Sequence, residues 1–489
     1  MTDWRARAVA LSRRAPDWTG RFTRLADLTH PEWLAIPLFW FALIVPAIFL
    51  RGYHYEEGTI VALARGAIED GQWLAPHQYG FRFIERPVLM SWLLAVLGLI
   101  FGEIRPWIAR ILPTLSLLGG GFLVFYLTRQ RASAAAALFG ALCFLICPAV
   151  LQKLVTAEPD VMLSVLLFST FVVWWDGQKT GRVSAPRWLA VAAIFAAAGL
   201  TKGPQPMAYF TLGVGSFLLL RRQWHDVPAF IFVNALAGGV VLAWYLAVYR
   251  SGDFAIWENH SRIDLSETRL SYYYGIFLFI RQFALEALPS LIVVVALVVD
   301  RIRKHSLMSD AMVLALLCYA SATTLALAVW PEGNVRYAMP AMLALATLAG
   351  LGYDHLRVAA PHILNAAVGL AFVLAAYALV VGWIVMPLLP ASFQQSAVIA
   401  DKMMAQMRAE PAPLYGIFES FNNNIAAYLP PPVRLRSMAD IAKLTEPAWL
   451  YISPEEAEQV RNLRPDLSIE QRLVVHFGTD ADFYRAQAK

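Results

Sequence analysis

Long apolar blocks occupy most of this chain, and short polar, basic or proline-containing segments separate them. Such blocks predict membrane-spanning helices, because a helix needs about 20 mainly apolar residues to cross the hydrocarbon core. We expect about eleven crossings between residues 36 and 389. The predicted spans are 36–50, 108–127, 134–150, 161–176, 188–200, 206–220, 228–249, 275–299, 311–330, 338–353 and 361–387.

The segment 51–107, which follows the first span, is predicted to be an outer loop that contains a helix over residues 57–69. The apolar residues of that helix share one face, which predicts that it lies on the bilayer surface. They are Ile60, Leu63, Ala64, Ala67 and Ile68. The apolar run 88–102 is short for a crossing, and a crossing there would place Arg129 and Arg131 outside. We therefore expect this run to be interfacial or re-entrant.

Residues 390–489 have a different pattern, in which short apolar strands alternate with helical pieces. This alternation is typical of a small soluble α/β domain. Ser453 and Glu456 fit a capping box, with Pro454 at the first helical position. The predicted strands are 413–418, 447–452 and 468–477, and the predicted helices are 422–429, 438–444 and 454–463.

Composition and charge agree with a polytopic membrane protein. The chain is 58% hydrophobic and 15% charged, whereas soluble domains have about 25% charged residues. The arginine-rich arm 1–35 and the basic short loops place the N-terminus in the cytoplasm by the positive-inside rule. The tail 390–489 then lies on the outer face. The net charge of +5 fits loops that face anionic lipid, so no nucleic-acid partner is expected.

Ionisable residues from distant segments are predicted to meet on the outer side, and charges near lipid are candidates for function. Glu56, Glu57 and Asp160 could deprotonate or orient an acceptor hydroxyl. The cationic candidates for holding a phosphate are Arg86, Lys202 and Arg336, with Tyr337 beside them. Each residue alone also fits an ordinary solvated loop charge.

Further candidates are weaker. Glu85 and His260 could share a divalent metal, but two ligands from separate loops favour a hydrogen-bonded histidine over a metal ligand at His260. Arg262 lies two residues further on and could contact an acceptor. The aromatic run 272–274 fits an interfacial anchor better than a sugar platform.

Several motifs resemble those of the ArnT-like and protein O-mannosyltransferase-like membrane glycosyltransferases. The first outer loop of that family carries an Asp-Glu pair before a similar helix, and a Glu-Lys-Pro-Pro segment after it. The motifs of this chain appear in the family's order. They are Glu56-Glu57-Gly58 with Ala64-Arg65 and Gly71-Gln72-Trp73, Glu85-Arg86-Pro87, Ala109-Arg110-Ile111-Leu112-Pro113, Pro159-Asp160, Thr201-Lys202-Gly203-Pro204, and Arg336-Tyr337 with Pro340.

The resemblance implies a GT-C fold, a bacterial inner-membrane location, a polyprenyl-phosphate sugar donor and inverting transfer to a lipid or other acceptor. Glu56 stands where the family has its catalytic aspartate, Arg86 where it often has lysine, and Val88 where it has a second proline. Two alternatives remain open, namely a transporter or flippase of lipid-linked sugars and an inactive scaffold that binds them. The sequence does not identify the sugar or choose among lipid A, core oligosaccharide, another lipid and protein as acceptor.

Overall fold

The computed structural model describes residues 16–28, 32–250, 269–330, 333–478 and 481–489. It is mainly helical, with one small sheet near the C-terminus and a two-stranded hairpin in the loop 51–107. Helices of ten or more residues are Trp18–Leu28, Ala35–Leu50, Glu57–Glu69, Leu89–Phe101, Pro106–Arg129, Ala134–Ile146, Pro159–Gln178, Ala185–Lys202, Gln205–Leu220, Val227–Val248, Arg269–Glu286, Ser290–Arg303, Ala311–Val329, Val335–Ala359, Pro361–Leu388, Gln395–Ala409 and Pro454–Leu463.

Six of the helices within the described ranges are long and apolar enough to cross a membrane, or seven if one bent pair counts as a single span. Four more apolar helices are shorter, and one of them is Leu89–Phe101 in the loop. These helices indicate a multi-pass membrane protein. The expectation of about eleven crossings stays a prediction.

Two predicted spans are wrong as continuous helices. The predicted span 134–150 ends at Ile146, and a short helix, Pro148–Gln152, follows it. The predicted span 275–299 is two helices, Arg269–Glu286 and Ser290–Arg303, at an angle of 102°. Pro148 and Pro289 lie at the two breaks. Proline lacks a backbone N–H and clashes with the preceding turn, which explains both breaks.

The helix Val335–Ala359 forms the centre of the bundle, because 83% of its most apolar 18-residue stretch is buried inside the protein. It packs against the helices Ala134–Ile146, Ser290–Arg303 and Ala311–Val329. A Cβ atom at Gly350 would lie 2.9 Å from the carbonyl oxygen of Ala136. Glycine therefore allows the backbones of these two helices to approach closely. This packing positions the helix whose first turn carries Arg336.

The loop hairpin consists of β1 (His77–Gln78) and β2 (Phe81–Arg82), and the strands of the sheet near the C-terminus are β3 (Leu414–Gly416), β4 (Val433–Leu435), β5 (Ala448–Ile452), β6 (Leu467–Leu473) and β7 (Asp482–Ala488). The order of the five strands in that sheet is β4-β3-β5-β7-β6. Strand β3 pairs in parallel with β4 and β5, whereas β7 pairs antiparallel with β5 and β6. Three strands and the capping box of Ser453 and Glu456 match the predictions, but β4 and β7 were not predicted.

The helix Glu57–Glu69, which we name the loop helix, forms where it was predicted, but its predicted position on the bilayer surface is wrong. Ile60, Val61, Ala62 and Ala64 are all at most 2% exposed. The loop helix packs against the helix Leu89–Phe101, against β1 and against residues 423–426. Protein therefore covers the helix.

Candidate active site

Five of the predicted site residues gather at one end of the helix bundle. Glu56 immediately precedes the loop helix. Asp160 is in the first turn of the helix Pro159–Gln178, and Lys202 is the last residue of the helix Ala185–Lys202. Arg336 lies in the turn Val335–Ala338, and Arg86 lies between β2 and the helix Leu89–Phe101. The fold thus brings together residues that are up to 280 positions apart.

Glu56 is the centre of this group. Its carboxylate accepts hydrogen bonds from Arg86 and, at 3.3 Å, from Nη1 of Arg336. The side chain is 32% exposed, whereas Arg86 is 17% exposed. The carboxylate is therefore accessible to a substrate although both arginines bind it.

Lys202 and Asp160 form a second ion pair beside the first. The ammonium of Lys202 lies 5.1 Å from the ring centroid of Tyr337, and the guanidinium of Arg336 lies 5.2 Å from the same centroid. Both cations can interact with the ring quadrupole. Tyr337 thus lies near both cations, and its side chain is exposed.

The cations of this group exceed its carboxylates by one, since Arg86, Lys202 and Arg336 face Glu56 and Asp160. Nη1 of Arg86 and Nε of Arg336 are buried and have no hydrogen-bond partner among the described residues. Buried donors nearly always have a partner. Two guanidinium groups with unused donors and a local charge of +1 are suited to bind a phosphate.

The same cations control the protonation of Glu56. Burial raises the pKa of this carboxyl, but the charges of Arg86, Arg336 and Lys202 outweigh burial and lower the pKa to about 2. Glu56 is therefore ionised at neutral pH. Such a carboxylate is a weak base until another anion shares its cations.

Glu57 lies in a different environment from Glu56. Its side chain is fully buried, and Arg110, also 0% exposed, donates to both carboxylate oxygens over 2.8 and 2.7 Å. The backbone N–H groups of Ala157 and His54 add two further bonds at 2.7 and 3.0 Å. A carboxylate enclosed in this way has no access to a substrate, so its chemical role is to hold the loop against the bundle.

Glu158 and Lys153, which are not among the predicted site residues, extend the network. The backbone N–H of Glu56 donates to Glu158 over 3.1 Å, and Lys153 forms an ion pair with the same carboxylate. The Lys153 ammonium lies 4.8 Å from the ring of Tyr55. The sequence does carry a signal for Glu158, because a glutamate with apolar neighbours in a turn needs a partner for its charge when it is buried.

The remaining candidates are Glu85, His260 and Arg262. Glu85 is exposed, and His260 and Arg262 lie outside the described residues. Within the described ranges, no three His, Cys, Asp or Glu side chains are close enough to hold a metal ion. A shared site of Glu85 and His260 therefore stays a prediction.

Comparisons with known proteins agree with the motifs. The family model described as dolichyl-phosphate-mannose-protein mannosyltransferase matches residues 85–247. An undecaprenyl phosphate-alpha-4-amino-4-deoxy-L-arabinose arabinosyl transferase of Shewanella sediminis is 26% identical over 251 residues, which are 49% of this chain and 46% of that protein. A protein of the same description from Pseudomonas aeruginosa is 29% identical over 221 residues, which are 42% of this chain and 39% of that protein. The alignments thus span less than half of these relatives.

Solved structures show the fold over a larger part of the chain. The crystal structure of ArnT from Cupriavidus metallidurans in the apo state has a TM-score of 0.70 at 18% identity, and covers 93% of this chain and 97% of its own. The same protein bound to undecaprenyl phosphate has a TM-score of 0.69 at 17% identity, with 96% and 98% covered. The chain therefore has the fold of these ArnT structures, and its motifs and relatives resemble those of ArnT-like membrane glycosyltransferases.

Proposed function

We propose that the chain is an inner-membrane glycosyltransferase that moves a sugar from a polyprenyl-phosphate donor to a lipid acceptor such as lipid A, with inversion. The observation that carries the proposal is the position of Glu56, which is partly exposed and is held by two arginines with unused buried donors. A base beside an anion site is what this transfer requires.

The residues of this site can serve each step of the transfer. An acceptor oxygen forms a bond to the anomeric carbon while the bond from that carbon to the phosphate oxygen breaks. The acceptor proton passes to Glu56, and the bonding electrons leave with the polyprenyl phosphate. Arg86, Lys202 and Arg336 offset the charge that develops on the departing phosphate, as fixed cations do in other group transfers. Asp160 orients Lys202.

We place the site on the periplasmic face, with the N-terminus in the cytoplasm and residues 390–489 as a periplasmic domain. Basic short loops at the opposite end of the spans support this orientation. Residues 1–35, 36–389 and 390–489 then form the cytoplasmic arm, the membrane module with its catalytic loop 51–107, and the soluble domain. A periplasmic site requires a donor that has already crossed the membrane.

The flippase alternative requires broken helices in two corresponding halves. The described part of the chain contains one sharply bent pair of apolar helices, at 102°. The ionisable cluster lies at helix ends, whereas a carrier is expected to bind near the bilayer midplane. These two observations favour the transferase.

Mass spectrometry of envelope glycolipids and glycoproteins, from cells with and without the gene, tests the proposal. We expect one missing sugar increment together with accumulation of its lipid-linked donor. The relatives' description makes undecaprenyl phosphate-α-4-amino-4-deoxy-L-arabinose the first donor to assay in vitro, and undecaprenyl phosphate a suitable binding probe. An unchanged product profile with lipid-linked sugar on the inner leaflet would instead support a flippase.

The pH dependence of transfer gives a further prediction. For the wild-type enzyme, kcat/KM should stay constant between pH 4 and 8, because the pKa of Glu56 is about 2 and its carboxyl therefore stays ionised over this range. In Arg86→Met the pKa of Glu56 should rise, so kcat/KM should fall as the pH drops within that range. Initial rates with the assay donor would measure both profiles. Arg434→Met breaks an arginine–carboxylate pair with Asp70 outside the site and should keep the flat profile; an identical shift in both variants would contradict the assignment.

A further inference from the structure

Residues 422–426, which we name the asparagine turn, contact the backbone on both sides of Glu56 and Glu57. The side-chain oxygen of Asn424 accepts the N–H of Gly58 over 2.9 Å. Its side-chain nitrogen donates to the carbonyl oxygen of Tyr55 over 2.8 Å. One amide group thus holds the residue before the two glutamates and the residue after them.

The backbone that Asn424 holds is an unusual one. Tyr55 has a φ of 52°, in the left-handed region that a bulky aromatic residue seldom adopts. Such a conformation persists only where surrounding contacts fix it. The bond from Asn424 to the Tyr55 carbonyl is one of these contacts, and the conformation it fixes directly precedes Glu56.

The fit between the asparagine turn and the loop helix is close. A Cβ atom at Gly58 would lie 2.3 Å from the carbonyl carbon of Asn423 and 2.5 Å from the backbone nitrogen of Asn424. These are backbone atoms, so they could not move aside as a flexible side chain does. Glycine at position 58 therefore lets the two segments touch.

The asparagine turn is itself anchored in the C-terminal part of the chain. Asn422 accepts the N–H groups of Asn424 and Ile425 and donates to the carbonyl oxygen of Phe477 over 2.7 Å. Asn423 accepts a bond from Gln78 at 2.6 Å and donates to Thr59 at 3.0 Å. The turn thus connects the region of the C-terminal sheet to the start of the loop helix.

We propose that Asn424 is a positioning residue for the transfer, which sets the carboxylate of Glu56 by fixing the backbone from Tyr55 to Gly58. The inference rests on the proposed function of Glu56. By this inference, a residue of the C-terminal region helps to position the active site. Arg86, Lys202 and Arg336 come from other segments, so loss of the Asn424 contacts should impair the chemical step more than donor binding.

The test compares two alanine variants of the full-length protein. Asn365 is a matched control, because its amide accepts the N–H of Thr19 at 3.0 Å and donates to the Pro16 carbonyl at 2.9 Å, in another part of the fold. Both asparagines therefore join backbone groups three residues apart. Asn424→Ala should lower kcat about ten- to a hundredfold, as small misplacements of catalytic groups do. Asn365→Ala should leave kcat unchanged.

Two further readouts separate positioning from general damage. Amide hydrogen exchange at Gly58 should be faster in Asn424→Ala, and the Kd for undecaprenyl phosphate should stay within about threefold of wild type. Asn424→Asp keeps an acceptor for Gly58 but cannot donate to Tyr55, so its kcat should be intermediate.

Unchanged exchange at Gly58, an unchanged kcat, or an equal loss of kcat in Asn365→Ala would each overturn the positioning role. A wild-type protein without turnover on any polyprenyl-phosphate sugar would contradict the proposed function instead. In that case, amide hydrogen exchange at Gly58 alone would test whether Asn424 holds this backbone.

Discussion

Replacing Glu56 with glutamine is expected to lower kcat for sugar transfer by about 10²- to 10⁴-fold, the usual contribution of a general base. Glutamine has nearly the same shape and keeps one oxygen that can accept a bond from Arg86 or Arg336, but it cannot take the acceptor proton. Binding of undecaprenyl phosphate should be retained, because the cations remain and one negative charge beside them is gone. Turnover of the assay donor and equilibrium binding measure the two effects separately.

Glu69→Gln is the matched control, since Glu69 ends the same helix and pairs with Arg65 at 2.6 Å. It should leave kcat unchanged. Glu56→Asp removes one methylene and restores the residue type of the family that the motifs resemble, so it should keep turnover. Wild-type rates in Glu56→Gln would remove Glu56 from its proposed role, and donor binding without turnover in wild type would support the inactive scaffold.

The largest loss of stability is expected from Glu57→Gln. This change leaves the guanidinium of Arg110 buried beside a neutral group, and breaking a buried pair costs about 3–5 kcal/mol. Arg110 also donates to the backbone carbonyls of Arg51 and Gly52 over 2.7 and 2.8 Å, so its charge cannot move into water without opening the loop. The thermal midpoint in detergent should fall clearly below that of the wild type.

The control is Glu103→Gln, which breaks an exposed pair with Arg105 and should change the midpoint little. A double variant, Glu57→Leu with Arg110→Met, should regain part of the loss, because neither charge is then left unpaired. Equal midpoints for Glu57→Gln and Glu103→Gln would show that the buried pair does not hold the loop.

The stability from Glu57 should also depend on pH. Burial raises the pKa of this carboxyl, but Arg110 outweighs burial and lowers it from 4.5 to about 2. A carboxyl whose pKa is lower in the folded state contributes stability above its unfolded pKa, and loses it as the pH falls through the folded pKa. The difference in midpoint between wild type and Glu57→Gln should therefore shrink between pH 4.5 and 2.

The sequence predicts most clearly what depends on local pattern. The capping box of Ser453, the loop helix and most long helices follow from periodicity and end signals within a few residues. The meeting of Lys202 and Arg336 with Glu56 was also predictable, because basic loops assign each helix end to one side of the membrane.

Contacts between distant segments were not predictable in the same way. The apolar face of the loop helix fits lipid or protein equally well, and only the fold shows that protein covers it. Nothing near Asn424 in sequence indicates that it meets Tyr55 and Gly58. Arg110 did carry a signal, because an arginine at the start of an apolar span needs a partner, and the buried partner is Glu57.

The most direct test of the central claim uses wild-type protein in proteoliposomes that contain the assay donor and a lipid A acceptor. We expect one new acceptor species, heavier by the donor sugar, and release of an equal amount of free polyprenyl phosphate. Movement of intact donor between leaflets without any heavier acceptor would contradict the account, and would make the chain a carrier of lipid-linked sugar.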